Sequence, residues 1–287
     1  MPHVDGVTHR YVDAGGLRVH LAESGPADGE PVLLVHGWPQ HWYEWRGVVP
    51  ALSGRYRLLM PDLRGLGWTE ATPHGYEKEN LARDQVALLD ALGIERVKLI
   101  GHDWGGYAGF LMCLLAPERV EAFVAANVGH PWPGSRTSAL LNSWRFLYQL
   151  PVILPFIGPR ITRLRGFIKF ILNGPKKGLF SDEEVEAFEA PYRDPQRSFA
   201  STRYYRSFQA HDAPLVIRGH WRKYRLTVPT LMLYGTGDPV VTPRLLEGYE
   251  PYADDMRIET VEDTGHFIVD ARPDFVAEQA LNFFSAR

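Results

Sequence analysis

The sequence predicts an α/β fold: a mostly parallel, doubly wound sheet carrying one helical insertion. Three observations predict it. Short apolar, β-rich runs alternate with longer helical patterns through the first 128 residues. That rhythm breaks from about Gly129 to Trp221. It then resumes to the C-terminus. Alternating strands and helices are the signature of a sheet covered on both faces.

Thr8 to Asp13 and Leu17 to Ala22 flank Gly15-Gly16 and read as an opening hairpin. Val32 to Val35, Arg57 to Met60, Val97 to Ile100 and Ala122 to Ala126 follow. They are short and apolar, and most are bounded by Gly, Pro or Asp, as fully buried parallel strands are. Between them, Trp42 to Leu52, Glu79 to Leu92 and Gly106 to Leu115 repeat apolar residues at helical spacing. After the insertion, Thr230 to Tyr234 and Met256 to Val261 read as strands, and Pro273 to Phe284 as a closing helix. Residues 1–128 and 222–287 are therefore expected to form the core, and 129–221 a mostly helical cap.

Within the insertion no acidic residue occurs from Ala122 to Ser181, while Arg160, Arg163, Arg165, Lys169, Lys176 and Lys177 cluster. Ser181 and Glu184 have capping-box spacing, so a helix should begin there. The basic, apolar stretch Arg160 to Lys177 reads better as solvated charges over a buried stripe than as a membrane-surface helix.

Composition excludes several classes of function. The chain has 287 residues, 45 % hydrophobic and 23 % charged, with a net charge of −3. Disorder, collagen and coiled coil are excluded, and the basic footprint of a general nucleic-acid binder is missing. The single cysteine, Cys113, rules out an intrachain disulfide and a Cys-rich metal site, and suits a reducing, cytoplasmic setting. No signal peptide and no 18-residue apolar span is seen, so no stable membrane insertion is expected. Gly65-Leu66-Gly67 begins like a dinucleotide fingerprint but lacks its third glycine, and reads as a structural turn.

The strongest local signal for chemistry is Gly101-His102-Asp103-Trp104-Gly105-Gly106. It lies between a strand and a helix, and small residues two before and two after the centre suit a sharp, strained turn. Such an elbow usually presents serine; here it presents Asp103. A carboxylate is already charged at neutral pH and can displace a leaving group from saturated carbon. The resulting ester must then be cleaved by activated water, with its carbonyl held in an oxyanion hole. The plainer alternative is that Asp103 caps the next helix.

His266, in Asp263-Thr264-Gly265-His266-Phe267, follows the last strand and is the candidate base. Asp238, in Gly235-Thr236-Gly237-Asp238-Pro239, follows the preceding strand and is the candidate orienting acid. Asp263 and Asp270 compete for that role, but lie close to His266 in sequence. The order Asp103, Asp238, His266 is that of nucleophile, acid and base in an elbow triad. The oxyanion hole should use the amides of Trp104 and of Trp38, after Gly37. Pro39 is a candidate cis proline, and His36 and His41 read as structural rather than as metal ligands.

These residues together resemble the α/β-hydrolase superfamily, and within it the epoxide hydrolase and haloalkane dehalogenase branch. The resemblance covers nearly the whole chain, and Trp38-Pro39-Gln40-His41-Trp42-Tyr43-Glu44-Trp45-Arg46 is similar to epoxide hydrolases in particular. It implies the α/β-hydrolase fold with a helical cap, a small apolar epoxide substrate, and no cofactor or metal. It also implies two cap tyrosines that hold the ring oxygen. Tyr205, in Tyr204-Tyr205-Arg206, and Tyr148 match those positions. A haloalkane dehalogenase using the same aspartate, with Trp104 and Trp38 donating to a halide, is the alternative. A non-catalytic binding protein on the same fold is the second. A homodimer is compatible with the sequence.

Overall fold

The computed structural model describes residues 1–133, 150–173 and 178–287. Eight strands form one sheet: β1 (Thr8–Ala14), β2 (Leu17–Ser24), β3 (Glu30–Val35), β4 (Tyr56–Pro61), β5 (Val97–His102), β6 (Val120–Ala126), β7 (Thr230–Gly235) and β8 (Met256–Val261). Their order is β1-β2-β4-β3-β5-β6-β7-β8. β2 runs antiparallel to both neighbours, and every other pairing is parallel. The expected hairpin and the six expected strands are all present.

The strands bury both faces, and the period of two is visible in what each face meets. Leu33, Val35, Leu99 and Phe123 face one apolar layer, which holds α1 (Lys78–Leu92) and α2 (Asp103–Leu115). Val32, Leu34, Ile100 and Val124 face the other, with the C-terminal helix Pro273–Ser285. The stretch Trp42 to Leu52 is less regular than its spacing predicts. A 3₁₀ turn, Trp42–Gly47, precedes a single α-turn, Val49–Leu52. The Asp62 carboxylate binds the Trp42 amide and, beyond Gly67, the Trp68 amide, so Gly65 to Gly67 is indeed a turn.

Between β6 and β7 the elements among the described residues are helices and helical turns joined by short loops. The longer elements are α3 (Gly158–Arg163), α4 (Phe167–Asn173), α5 (Asp182–Glu189) and α6 (Pro195–Ser207). Helix Pro273–Ser285 is α7. Both halves of the Ser181–Glu184 capping box form at the start of α5. These helices are tied to core loops by specific bonds. Tyr204 Oη donates to the Arg64 carbonyl at 2.9 Å, and Tyr192 Oη to that of Pro39 at 2.9 Å. Arg46 pairs with Glu184. Among the described residues no helix is long and apolar enough to cross a membrane. Cys113 is buried in α2, and burial pushes its thiol up.

Candidate active site

Adjacent parallel strands end on the same edge of the sheet, where ligands bind in open α/β folds. β3, β5, β6, β7 and β8 are successive neighbours, so their following loops stand in a row. Those loops carry Trp38, Asp103, Asn127, Asp238 and His266.

Asp103 opens α2 directly after β5, with φ at 48°. A non-glycine residue there costs on the order of 1–3 kcal/mol and persists only where its surroundings impose it. The glycines explain how the chain tolerates it. A Cβ on Gly105 would lie 2.1 Å from the Val35 carbonyl oxygen, and one on Gly37 would lie 2.4 Å from Cβ of Asp103. The helix therefore packs against the end of β3 with no side chain between.

This close approach brings the Trp38 amide to the Asp103 carboxylate. The amide donates to Oδ2 at 2.9 Å, and the Trp104 amide also supports the charge. The Trp38–Pro39 peptide is cis, as the sequence suggested. Oδ1 of Asp103 lies 3.7 Å from Nε2 of His266, an ion-pair distance too long for a direct hydrogen bond. The other ring nitrogen, Nδ1, is 2.8 Å from Oδ2 of Asp238. Asp238 is held in turn, because its Oδ1 accepts from the Val240 and Val241 amides at 2.7 and 3.0 Å.

The electrostatics follow from this geometry. Burial opposes a charge on His266, but Asp238 and then Asp103 outweigh it, and its pKa stands well above the ordinary histidine value. Burial likewise works against the Asp103 carboxylate. The cationic His266, with His102 behind it, holds the carboxyl below its usual range. Asp103 and His266 thus rest as an anion beside a cation.

Tyr205 is buried on α6. Its ring stands edge-on to Trp38, with centroids 5.1 Å apart, and to Trp104 at 5.8 Å. Tyr204 turns its hydroxyl toward Arg64 instead, so the two neighbouring tyrosines have different surroundings. Tyr148 lies outside the described residues. The indole N–H of Trp38 donates to Oγ of Ser201 at 2.9 Å, whereas that of Trp104 is buried with no hydrogen-bond partner among the described residues. His36 and His41 are spent on backbone: His36 Nε2 accepts from the Leu63 amide, and His41 Nε2 donates to the Ala187 carbonyl. Burial pushes the His41 pKa down to about 4. No group of three His, Cys, Asp or Glu among the described residues is placed to hold a metal.

Several residues of the site escape sequence reasoning. Asn127, just past β6 with φ at 39°, donates from Nδ2 to the Gly265 and His266 carbonyls at 2.6 and 2.7 Å. Its Oδ1 accepts from the Gly235 amide at 2.7 Å. An Asn at the end of a buried strand, a residue type that tolerates left-handed backbone, was the only available cue. His102 Nε2 donates to the His266 carbonyl at 3.0 Å, while Nδ1 lies 3.2 Å from Glu44. Lys78 is fully buried and donates to the Tyr76 and Tyr204 carbonyls, with its ammonium 4.5 Å from the Trp104 ring centroid. Burial, partly offset by Asp212, brings its pKa down to about 8. Nothing local in the sequence marks any of these side chains as buried.

Comparison with known proteins gives the same architecture. A family model described as alpha/beta hydrolase fold matches residues 30–273. The chain is 28 % identical to the soluble epoxide hydrolase of a Corynebacterium species, over 97 % of this chain and 98 % of that one. It is 31 % identical to epoxide hydrolase 3 of Xenopus tropicalis, over 96 % of this chain and 77 % of that one. Among solved structures, it superposes on the unliganded epoxide hydrolase CorEH with a TM-score of 0.81 at 28 % identity. That match covers 98 % of this chain and 99 % of the other.

Proposed function

The chain belongs to the alpha/beta hydrolase fold family, and from that premise we propose that it hydrolyses epoxides to vicinal diols through an alkyl ester on Asp103. The observation that carries this reading is a carboxylate at the elbow with one oxygen in the amide hole and the other facing a histidine base. The names of the relatives point to the same reaction.

In the first step Oδ1 of Asp103 attacks a ring carbon and the carbon–oxygen bond of the epoxide breaks. The departing alkoxide takes its proton from a phenol, since an unprotonated alkoxide leaves poorly. Tyr205 and Tyr148 are assigned to hold that oxygen, within a cap spanning 129–221. Trp38, Trp104 and Phe208 supply aromatic walls around Tyr205 and suit a small apolar substrate.

Before the second step the proton of the His266 cation passes to the phenolate left by ring opening, which restores the phenol. Neutral His266 Nε2 then takes a proton from water, and the hydroxide adds to the ester carbon. The Trp38 and Trp104 amides hold the oxyanion formed on Oδ2. The tetrahedral species then collapses, the bond to the alkoxide breaks, and His266 returns the proton to it. The order of steps is built into the charges. While Asp103 is an anion it helps keep His266 protonated. Once Asp103 is a neutral ester that support is gone, and His266 becomes a better base when a base is needed.

The haloalkane alternative fits less well. A halide cradle needs two convergent N–H donors, and the Trp38 indole is already committed to Ser201.

The experiment is a single turnover in heavy-oxygen water with excess enzyme. The diol should leave unlabelled, and the label should appear in the Asp103 peptide. A diol labelled in that first turnover would mean direct attack by water and would end the two-step reading.

A further inference from the structure

The outermost layer of the helical insertion, 150–173, has an unusual surface. The short helix Leu150–Ile153 and α3 pack on α6, and α4 packs on α3 and α5. Helix α6 is itself bonded to the core through Ser201 and Tyr204. The layer therefore faces away from the sheet. Its inward residues are ordinary: Val152, Thr162, Ile168 and Leu172 are buried, as the expected stripe requires.

The outward residues depart from a plain solvated face. Every exposed residue of the segment is either apolar or cationic. Phe156 is 77 % exposed, Phe170 70 %, Leu164 60 % and Leu154 46 %. Among them stand Arg160, Arg163, Arg165 and Lys169. Lys169 pairs with Asp182. Among the described residues, no carboxylate comes within ion-pair distance of the three arginines. Large aromatic and aliphatic side chains standing singly in water are common, but a cluster of them interleaved with unpaired cations marks an interaction surface.

We propose that this face docks peripherally on an anionic lipid bilayer. Phe and Leu side chains at the level of the acyl boundary, with arginines beside them at the phosphates, are the composition of an interfacial surface. The segment itself carries no acidic residue. Arg163 and Arg165 share a groove with Asp182, Glu186 and Glu189 of α5 but form no ion pair with them, so the bilayer phosphates supply the anions these cations lack. A second copy of this chain is a poorer partner. An isologous dimer would set this arginine cluster against itself. Nucleic acid is poorer too, since Phe156 and Phe170 are outnumbered by the exposed aliphatic side chains Leu150, Leu154, Ile157 and Leu164, which gain from an acyl boundary and not from stacking on a base. The assignment depends on no catalytic role, so it stands or falls separately from the proposed reaction.

The test is flotation of the full chain with vesicles of phosphatidylcholine alone and of phosphatidylcholine mixed with phosphatidylserine. Binding is expected on the mixed vesicles only, and should fall as salt screens the attraction. Replacing Arg160, Arg163 and Arg165 together by Gln should weaken it about a hundredfold, at about fivefold per cation. Phe156→Ser with Phe170→Ser should weaken it at least about tenfold, through lost apolar burial. Because Cys113 is buried, a Phe156→Cys variant can be labelled selectively with an environment-sensitive dye. Its emission should shift to the blue on mixed vesicles and stay unchanged on neutral ones, a reading that holds even if the triple variant misfolds. Equal binding to both vesicles, full binding by a folded triple variant, or no binding by the folded chain, whether monomeric or dimerised through this face, would overturn the proposal.

Discussion

The side-chain amide of Asn127 bonds the backbone that carries His266, spanning from the end of one central strand to the loop after the edge strand. Its Nδ2 reaches the carbonyls of Gly265 and His266, and its Oδ1 takes the Gly235 amide, which precedes Asp238 by three residues. One side chain thus fixes both halves of the acid–base pair. Asn127→Ala would strand the Gly235 amide and the Gly265 carbonyl, each worth about 1–3 kcal/mol when left unpaired, while the His266 carbonyl keeps its bond from His102. We expect a fall in stability of roughly 2–4 kcal/mol by denaturant titration. Ester hydrolysis should slow more than ester formation in single-turnover kinetics, since only the second step uses His266. Equal slowing of both steps would assign Asn127 a purely structural part.

His266→Gln separates the two steps more sharply. The variant keeps Asp103 and the amides that hold it, but has no base for water. Alkylation should continue and hydrolysis should stop, so the Asp103 peptide should gain the mass of the substrate. Steady-state turnover should drop by about 10²–10⁴-fold, the range for removing a general base. A chain that binds substrate yet shows no adduct by mass spectrometry would contradict the scheme.

What the sequence reveals and what it hides follow from how far each contact reaches along the chain. The elbow is legible because its constraint is local. Gly101 and Gly105 bracket Asp103 in one short turn, and the atoms that exclude a Cβ on Gly101 belong to Gly105 and Gly106, although those that exclude one on Gly105 belong to the distant Val35 and His36. Asp238 and His266 are legible because each follows a strand by a few residues, and parallel strands deliver their ends to one edge. Asn127, Lys78 and the Glu44–His102 pair are hidden because their partners lie dozens to over a hundred residues away. Their types, read alone, suggest exposed polar residues. The same reach limits the outer face of the insertion. Periodicity finds the buried Ile168 and Leu172, but says nothing about the apolar residues left outside.

Two adjacent tyrosines on α6 offer an internal control. Tyr204 donates to the Arg64 carbonyl and joins the insertion to the core, while Tyr205 lies against Trp38 and Trp104 beside the nucleophile. Tyr205→Phe should lower the rate of epoxide opening by about 10²-fold or more, with little change in melting temperature. Tyr204→Phe should do the reverse, costing about 1 kcal/mol of stability and little rate. The double replacement of Tyr205 and Tyr148 by Phe should abolish opening. Full activity in that double variant would remove both residues from the reaction.

The pH dependence has a definite sign at His266. Its pKa is raised on folding by Asp238 and Asp103 against the opposing effect of burial. The ion pairs therefore stabilise the fold fully below the unfolded value of about 6.5, and this contribution is lost as pH rises through the raised folded value. The difference in melting temperature between the wild type and His266→Gln should be largest near neutrality and below, and should shrink in alkali. A constant difference across that range would show that His266 is not charged in the resting protein.

Asp270 acts in the same sense as His266, although it is an acid. It is buried beside Glu44, and these effects exceed the help of Arg46 and Gln40, so its pKa rises to about 6. Between the ordinary value near 4 and this raised value, the folded state holds a proton that the unfolded state has released. Raising the pH through that window must therefore cost stability, by about 3 kcal/mol for a shift of this size. Arg46 also bonds Glu184 of α5, so the strain falls where the insertion meets the segment carrying His266. Asp270→Asn keeps the shape and cannot ionise. It should be less stable than, or equal to, the wild type near pH 4, and gain on it steadily up to about pH 7 in denaturant titrations. Parallel stability curves for the two proteins would mean that Asp270 ionises without penalty and that Arg46 compensates its charge fully.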